Sequence, residues 1–136
     1  MCYVSILGAL NDLWTMDTRH FEWTKVETHS TTPNTFWPSP RYRHTANQIG
    51  DTVSVVIIGG WEKSGELIKT NNFPCIVYDT VSRIWTTVNL DGPPRAGHTT
   101  ATVSDNDNIL FVTGGEILKD GERFLTNQTF VIRKGI

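Results

Sequence analysis

Apolar residues in this chain come in short runs that stop at glycine, proline or clustered small polar residues. The longest, Val53-Ser54-Val55-Val56-Ile57-Ile58, lies between Gly50-Asp51-Thr52 and Gly59-Gly60. A near-continuous run of this kind predicts a strand covered on both faces. Ile109 to Thr113 is a second, framed by Asp105-Asn106-Asp107-Asn108 and Gly114-Gly115. Asn11 to Thr18 and Trp23 to Val26 predict a hairpin turning near Asp17 to His20. His44 to Ile49, Phe73 to Asp79 and Trp85 to Val88 are strands around the first run, with Pro74 marking an irregular start. Arg95 to Ser104 and Thr129 to Ile132 accompany the second. No stretch sustains a helical period, so the chain is expected to be all-β.

The pattern repeats. Asp17-Thr18, Trp23-Thr24 and Val26 return as Asp79-Thr80, Trp85-Thr86 and Val88, each after 62 residues (79 − 17). Pro40-Arg41 and His44-Thr45 return as Pro94-Arg95 and His98-Thr99 after 54 (94 − 40), and Gly59-Gly60 as Gly114-Gly115 after 55 (114 − 59). Self-similarity at a fixed spacing is the mark of a repeat architecture. Pro40 to Val88 reads as one complete four-stranded unit, preceded and followed by incomplete ones.

Each repeated feature has a structural use. Gly59, Gly60, Gly114 and Gly115 end apolar strands, where the missing Cβ permits positive φ and close approach by another segment. They do not form a phosphate loop, since no GxGxxG, Lys-Ser/Thr or helix follows. Tyr78 and Trp85 have six residues between them, as do Met16 and Trp23, and rings at fixed places in each unit fill the gap between neighbouring sheets. Core packing is therefore expected for Trp23 and Trp85, rather than carbohydrate stacking.

An apolar strand ending in Gly-Gly, then Tyr78 and Trp85, with Pro-Arg and His-Thr between units, resembles the kelch repeat, whose period is about 50 residues. The resemblance implies a partial kelch-type β-propeller of slightly more than two four-stranded antiparallel blades. These are a partial blade over 1–30, a loop and complete blade over 31–89, and a third blade over 90–136 lacking its outer strand. Propellers have about four to eight blades. The stretch is therefore expected to be part of a longer propeller, or to have its open blade edges covered by association with other chains.

Composition narrows the partners. Lys+Arg 12 against Asp+Glu 14 gives a net charge of −2, so there is no broad electrostatic case for nucleic acid or an acidic membrane. No segment approaches the ~20 apolar residues of a membrane helix. Cys2 and Cys75 form neither a CxxC pair nor a disulfide framework, and Val4 to Leu10 lacks the basic flank and cleavage site of a signal peptide. A cytoplasmic location is expected.

Similar propellers include the copper domain of galactose oxidase, which offers an alternative: a piece of a copper oxidase or carbohydrate-binding propeller whose site lies in missing blades. Tyr3, Tyr42, Tyr78, His20, His29, His44, His98, Cys2 and Cys75 supply ligand types without a ligand motif. His44 and His98 occupy equivalent positions and read as structural, and the carboxylates Glu62, Glu66, Glu116, Asp120 and Glu122 read as loop charge. No cofactor is expected. The preferred function is non-catalytic protein interaction through loops. Phe36 and Trp37 stand in one long loop, where packing back over the adjacent blade competes with partner contact. Lys63-Ser64-Gly65-Glu66 and Lys119-Asp120-Gly121-Glu122 are equivalent in two others. Trp61, Lys63, Glu66, Lys119, Glu122 and Arg123 are candidates for a mixed-charge, aromatic recognition patch.

Overall fold

In a computed structural model, residues 8–27, 37–49, 53–62, 67, 73–90, 92–103 and 109–133 are described. Phe36, Lys63, Glu66, Tyr3, Cys2 and His29 lie outside them. The described residues form strands and turns without a helix. The chain is all-β, and its described residues form four antiparallel sheets.

β1 (Trp14–Asp17) and β2 (Glu22–Lys25) make the first hairpin. β3 (Thr45–Gln48), β4 (Ser54–Ile58), β5 (Phe73–Asp79) and β6 (Ile84–Leu90) follow one another across a four-stranded sheet, the complete blade. β7 (Thr99–Thr102), β8 (Ile109–Thr113) and β11 (Thr129–Arg133) form the third, with β8 central. Pairing of β4 with β5 reaches only to Ile58↔Cys75, so Pro74, which has no N–H, pairs with β6 alone.

One correction concerns the segment between Gly115 and Thr129, expected to be a loop. It folds into β9 (Glu116–Lys119) and β10 (Glu122–Leu125), joined by two residues. Asp120 and Gly121 have φ of 52° and 81°. Positive φ at both central residues is what a tight hairpin turn matching strand twist requires, and Asp-Gly is a favoured pair for it.

The repeated Asp-Thr proves to be a turn device. Asp79 Oδ1 accepts from the amides of Val81 and Ser82 at 2.9 and 2.8 Å, and the Arg83 amide donates to Asp79 O at 2.8 Å. Asp17 Oδ1 does the same for Arg19 and His20 at 2.7 and 3.4 Å, with Phe21 N donating to Asp17 O at 2.7 Å. Phe21 and Arg83, equivalent residues, both have left-handed backbones (φ 56° and 60°). A short carboxylate that bonds its own backbone two residues on is why aspartate begins these turns.

The blades stack through two apolar layers. Val56, Ile58, Ile49 and Cys75 of the complete blade bury against Leu110 and Val112 of the next, with Val77, Phe130 and Ile132 at the margin. Its opposite face, Ile76, Tyr78 and Trp85, is covered from the first hairpin's side by Leu13, Val26 and Trp37. The apolar run of β4 thus supplies both faces, alternating between fully and half-buried positions.

Trp23 departs from expectation. Trp85 is buried, but Trp23 is 64% exposed. The β1–β2 sheet has two strands and no described sheet lies against its outer face. Burial of this repeat position requires a preceding blade, which the described residues do not provide.

Candidate interaction site

The joint between the complete blade and the third is built from the repeated residues. Arg41 Nη1 donates to the carbonyl of Gly59 at 3.2 Å, and Arg95 Nη1 to that of Gly114 at 3.0 Å. Both arginines are buried, and burial lowers both guanidinium pKa values. An arginine stays charged under such a shift, so it is a permanent donor to strand-end carbonyls. Arg95 also donates to Gln128 O at 3.3 Å and stands over the Phe130 ring at 4.5 Å. The Pro-Arg repeat is therefore an internal brace, a role its spacing did not reveal.

The glycine pairs admit the neighbouring chain. Gly59 and Gly60 have φ of 64° and 109°, and a Cβ at Gly59 would fall on the Arg95 carbonyl. Gly60 N donates to that same carbonyl at 3.0 Å, and Gly97 N to Arg43 O at 2.9 Å. At Gly115 (φ 93°) a Cβ would meet Ala96 O at 2.7 Å. Close backbone approach decides these positions.

His98 is buried in the same joint, with Nε2 hydrogen-bonded to Thr45 Oγ1 at 2.8 Å. Burial, then Arg95 and His44 nearby, push its pKa down to about 4. Thr100 donates to Asn47 alongside it. Cys75 is a free thiol whose pKa burial raises to about 11, which makes it unreactive. His20 stands apart on Asp17 Oδ2 at 2.9 Å, a contact that holds the exposed Asp17 carboxyl below its usual range. Among the described residues, no group of three or more His, Cys, Asp and Glu is arranged to hold a metal ion.

The proposed aromatic of the recognition patch is not on the surface. Trp61 is 1% exposed, pairs with Tyr42 through two backbone hydrogen bonds, and packs with Leu67, Ala96 and Leu118. Its burial follows from its place directly after Gly-Gly, where the chain turns back under the β9–β10 hairpin. Arg123 Cζ lies 4.2 Å from the Trp61 ring centroid. A guanidinium over an indole face contributes about 0.5–2 kcal/mol according to its exposure. Glu116, at the foot of β9, receives Arg43 Nη1 at 2.9 Å from the preceding blade. Arg43 holds a left-handed backbone (φ 57°) where the equivalent Gly97 has φ 64°.

Arg123, Leu118 and Glu116 thus tie one face of the hairpin to the complete blade. Alternation places Lys119, Glu122, Ile117 and Phe124 on the other face, as two cross-strand pairs. Lys119 and Glu122 are exposed, Ile117 is half-buried and Phe124 is 45% exposed. Leu125, 85% exposed, pairs with Glu116 and lies at the base of the Arg123 face instead. The structure therefore brings Lys119, Glu122 and Arg123 together on one hairpin, gives Arg123 to the Trp61 contact, and leaves Phe124 as the surface aromatic. The Asp120-Gly121 pair was the signal from which this hairpin could have been read.

Trp37 packs back on the adjacent blade. Its ring meets Trp85 edge-on at 5.5 Å and 78°, and Nε1 donates to Asn11 O at 2.8 Å. Tyr78 lies 4.6 Å from Trp85 on the same cluster.

Residues 6–133 match the family described as the KLHDC2/KLHL20/DRC7 kelch-repeats domain. Host cell factor 2 of Homo sapiens is 32% identical over 127 residues, covering 79% of this chain and 15% of that protein.

Proposed function

Because the chain belongs to the kelch-repeat family, we propose that it is a non-catalytic protein-interaction module whose contact surface is the outer face of the β9–β10 hairpin. The observation that carries this reading is the hairpin's asymmetry. One face is fixed by Arg123 over Trp61 and by Glu116 on Arg43, while the other offers Lys119, Glu122 and Phe124 to solvent. An apolar ring between charges of both signs, on a rigid support, suits a protein partner whose contact is an aromatic anchor with a polar rim. The chain spans a small part of its human relative, and a full propeller has more blades than these residues supply. The module works as part of a ring completed from outside this stretch.

The test uses the full chain as bait beside a Lys119→Ala/Glu122→Ala/Phe124→Ser variant, with Val81→Ser in the exposed β5–β6 turn as control. Partners captured by the wild type and the control, and lost with the hairpin variant, support the reading. Unchanged capture by the hairpin variant overturns the assigned surface. Stoichiometric copper with alcohol turnover in the purified chain would overturn the non-catalytic assignment.

A further inference from the structure

The two outer faces of this chain are, residue for residue, the two kinds of face that already pack together inside it. Trp14, Met16 and Trp23 stand 62 residues before Ile76, Tyr78 and Trp85 (76 − 14). The pairing is conserved with the spacing: Met16 lies opposite Trp23 and Tyr78 opposite Trp85. Ile76, Tyr78 and Trp85 are buried beneath Leu13 and Val26, which flank the first hairpin, and Trp37, whereas Trp14, Met16 and Trp23 are 47%, 40% and 64% exposed. At the other end, Phe111 stands 55 residues after Val56 (111 − 56). It lies opposite Val131 as Val56 lies opposite Val77. Val56 and Val77 pack on the third blade, while Phe111 and Val131 are 38% and 47% exposed.

We propose that a second copy of this chain docks head to tail, the Phe111–Val131 face of one seating on the Trp14–Met16–Trp23 face of the other. Each internal joint already joins a face of the first kind to one of the second, so the intermolecular joint continues an interface present twice in the fold. The two faces differ, which makes the contact heterologous, and such contacts end only when the ring closes. Each chain brings three blade sheets, counting the β1–β2 hairpin as one. Two chains make a ring of six, inside the range of about four to eight blades that propellers adopt. Both joints then bury their aromatics, and both of the described outer faces are covered.

Light scattering coupled to gel filtration tests this with the full chain. The expected mass is twice the 15.3 kDa of one chain. Trp23→Asp and Phe111→Asp damage opposite partners of the same joint, so each alone should be monomeric. Association should weaken by about tenfold or more, as for loss of a central interface aromatic. Mixed in equal amounts, the two variants keep one intact joint between them and should regain a dimer weaker than the wild type. Far-UV circular dichroism checks that each is folded, and Met16→Lys with Val131→Lys replaces the pair if one is not. Three results would overturn the proposal. A wild-type monomer assigns the faces to flanking sequence of a longer chain, and mass growing without limit assigns them to an open filament. A Phe111→Asp variant that still dimerises assigns the contact to like faces. None of these bears on the hairpin surface, which the bait experiment tests separately.

Discussion

Replacing Gly59 and Gly114 by alanine, one at a time, separates the intrinsic cost of a left-handed backbone from the cost of pushing two blades apart. The two glycines are repeat equivalents with nearly the same conformation, φ 64° and 68°. An alanine held there loses about 1–2 kcal/mol. At Gly114 little else changes, because the nearest atom to an added Cβ is Thr126 O at 3.7 Å, an ordinary contact. At Gly59 the new methyl falls on the Arg95 carbonyl and comes within 2.9 Å of His98 Cε1. The carbonyl belongs to backbone and cannot rotate away. It must move, and the 3.0 Å bond from Gly60 N moves with it, a loss of about 0.5–1.5 kcal/mol. With the left-handed strain, Gly59→Ala should cost about 1.5–3.5 kcal/mol against about 1–2 for Gly114→Ala. Guanidinium denaturation followed by tryptophan fluorescence reads the difference, provided the two m values agree. Amide exchange at Gly60 should accelerate only in the Gly59 variant. Equal losses within about 0.5 kcal/mol, or unchanged exchange at Gly60, would refute the assignment of this glycine to inter-blade contact.

The His98 joint predicts a pH dependence. Its pKa of about 4 lies below the ordinary 6.5, so the folded chain resists a proton that the unfolded chain accepts. The contribution is complete above pH 6.5 and is lost as pH falls towards 4, by at most about 3 kcal/mol and by about 1–2 after solvent screening. Denaturation midpoints of wild type and His98→Gln should converge between pH 7.5 and 4.5, and parallel curves would contradict the neutral buried imidazole. Asp79→Ala removes the one side-chain oxygen that accepts two amide hydrogen bonds in the β5–β6 turn and should cost about 1–2 kcal/mol, with Asp79→Asn recovering most of it. Equal stability of the alanine variant would show that the turn forms without its carboxylate.

Strand positions were legible because an apolar run that ends at Gly-Gly has few other readings, and because the 62- and 55-residue spacings made each unit a check on the next. Side-chain fates were less so. Trp23 and Trp85 hold the same place in equivalent hairpins, yet one is exposed and the other buried, since burial belongs to the neighbouring sheet as much as to the residue. Trp61 stands beside polar residues, and its burial depends on the β9–β10 hairpin folding over it, with Arg123 62 residues on (123 − 61). That hairpin was itself hidden in short strands, Glu-Ile-Leu-Lys and Glu-Arg-Phe-Leu, each too brief to display a period. The paired Asp-Gly was its one local mark. Arg41 and Arg95 were visible as repeats but not as braces, because a donor's acceptor cannot be read from spacing alone.

The stitch between Gly60 and Arg95 has a geometric consequence. Among strands of different sheets in the described residues, only β3 and β7 bring their backbones within 8 Å. At that inner rim the blades meet through peptide groups, glycines and small polar residues. Further out in the same joint, Cys75 and Val77 of β5 and Phe130 and Ile132 of β11 fill the space between the two sheets with apolar bulk. The stitch is a hinge pin and the apolar layer beyond it a wedge, so the angle between these two blades is set by bulk away from the rim. Substitutions there would open or narrow the angle between the two blades while the pin stayed unchanged.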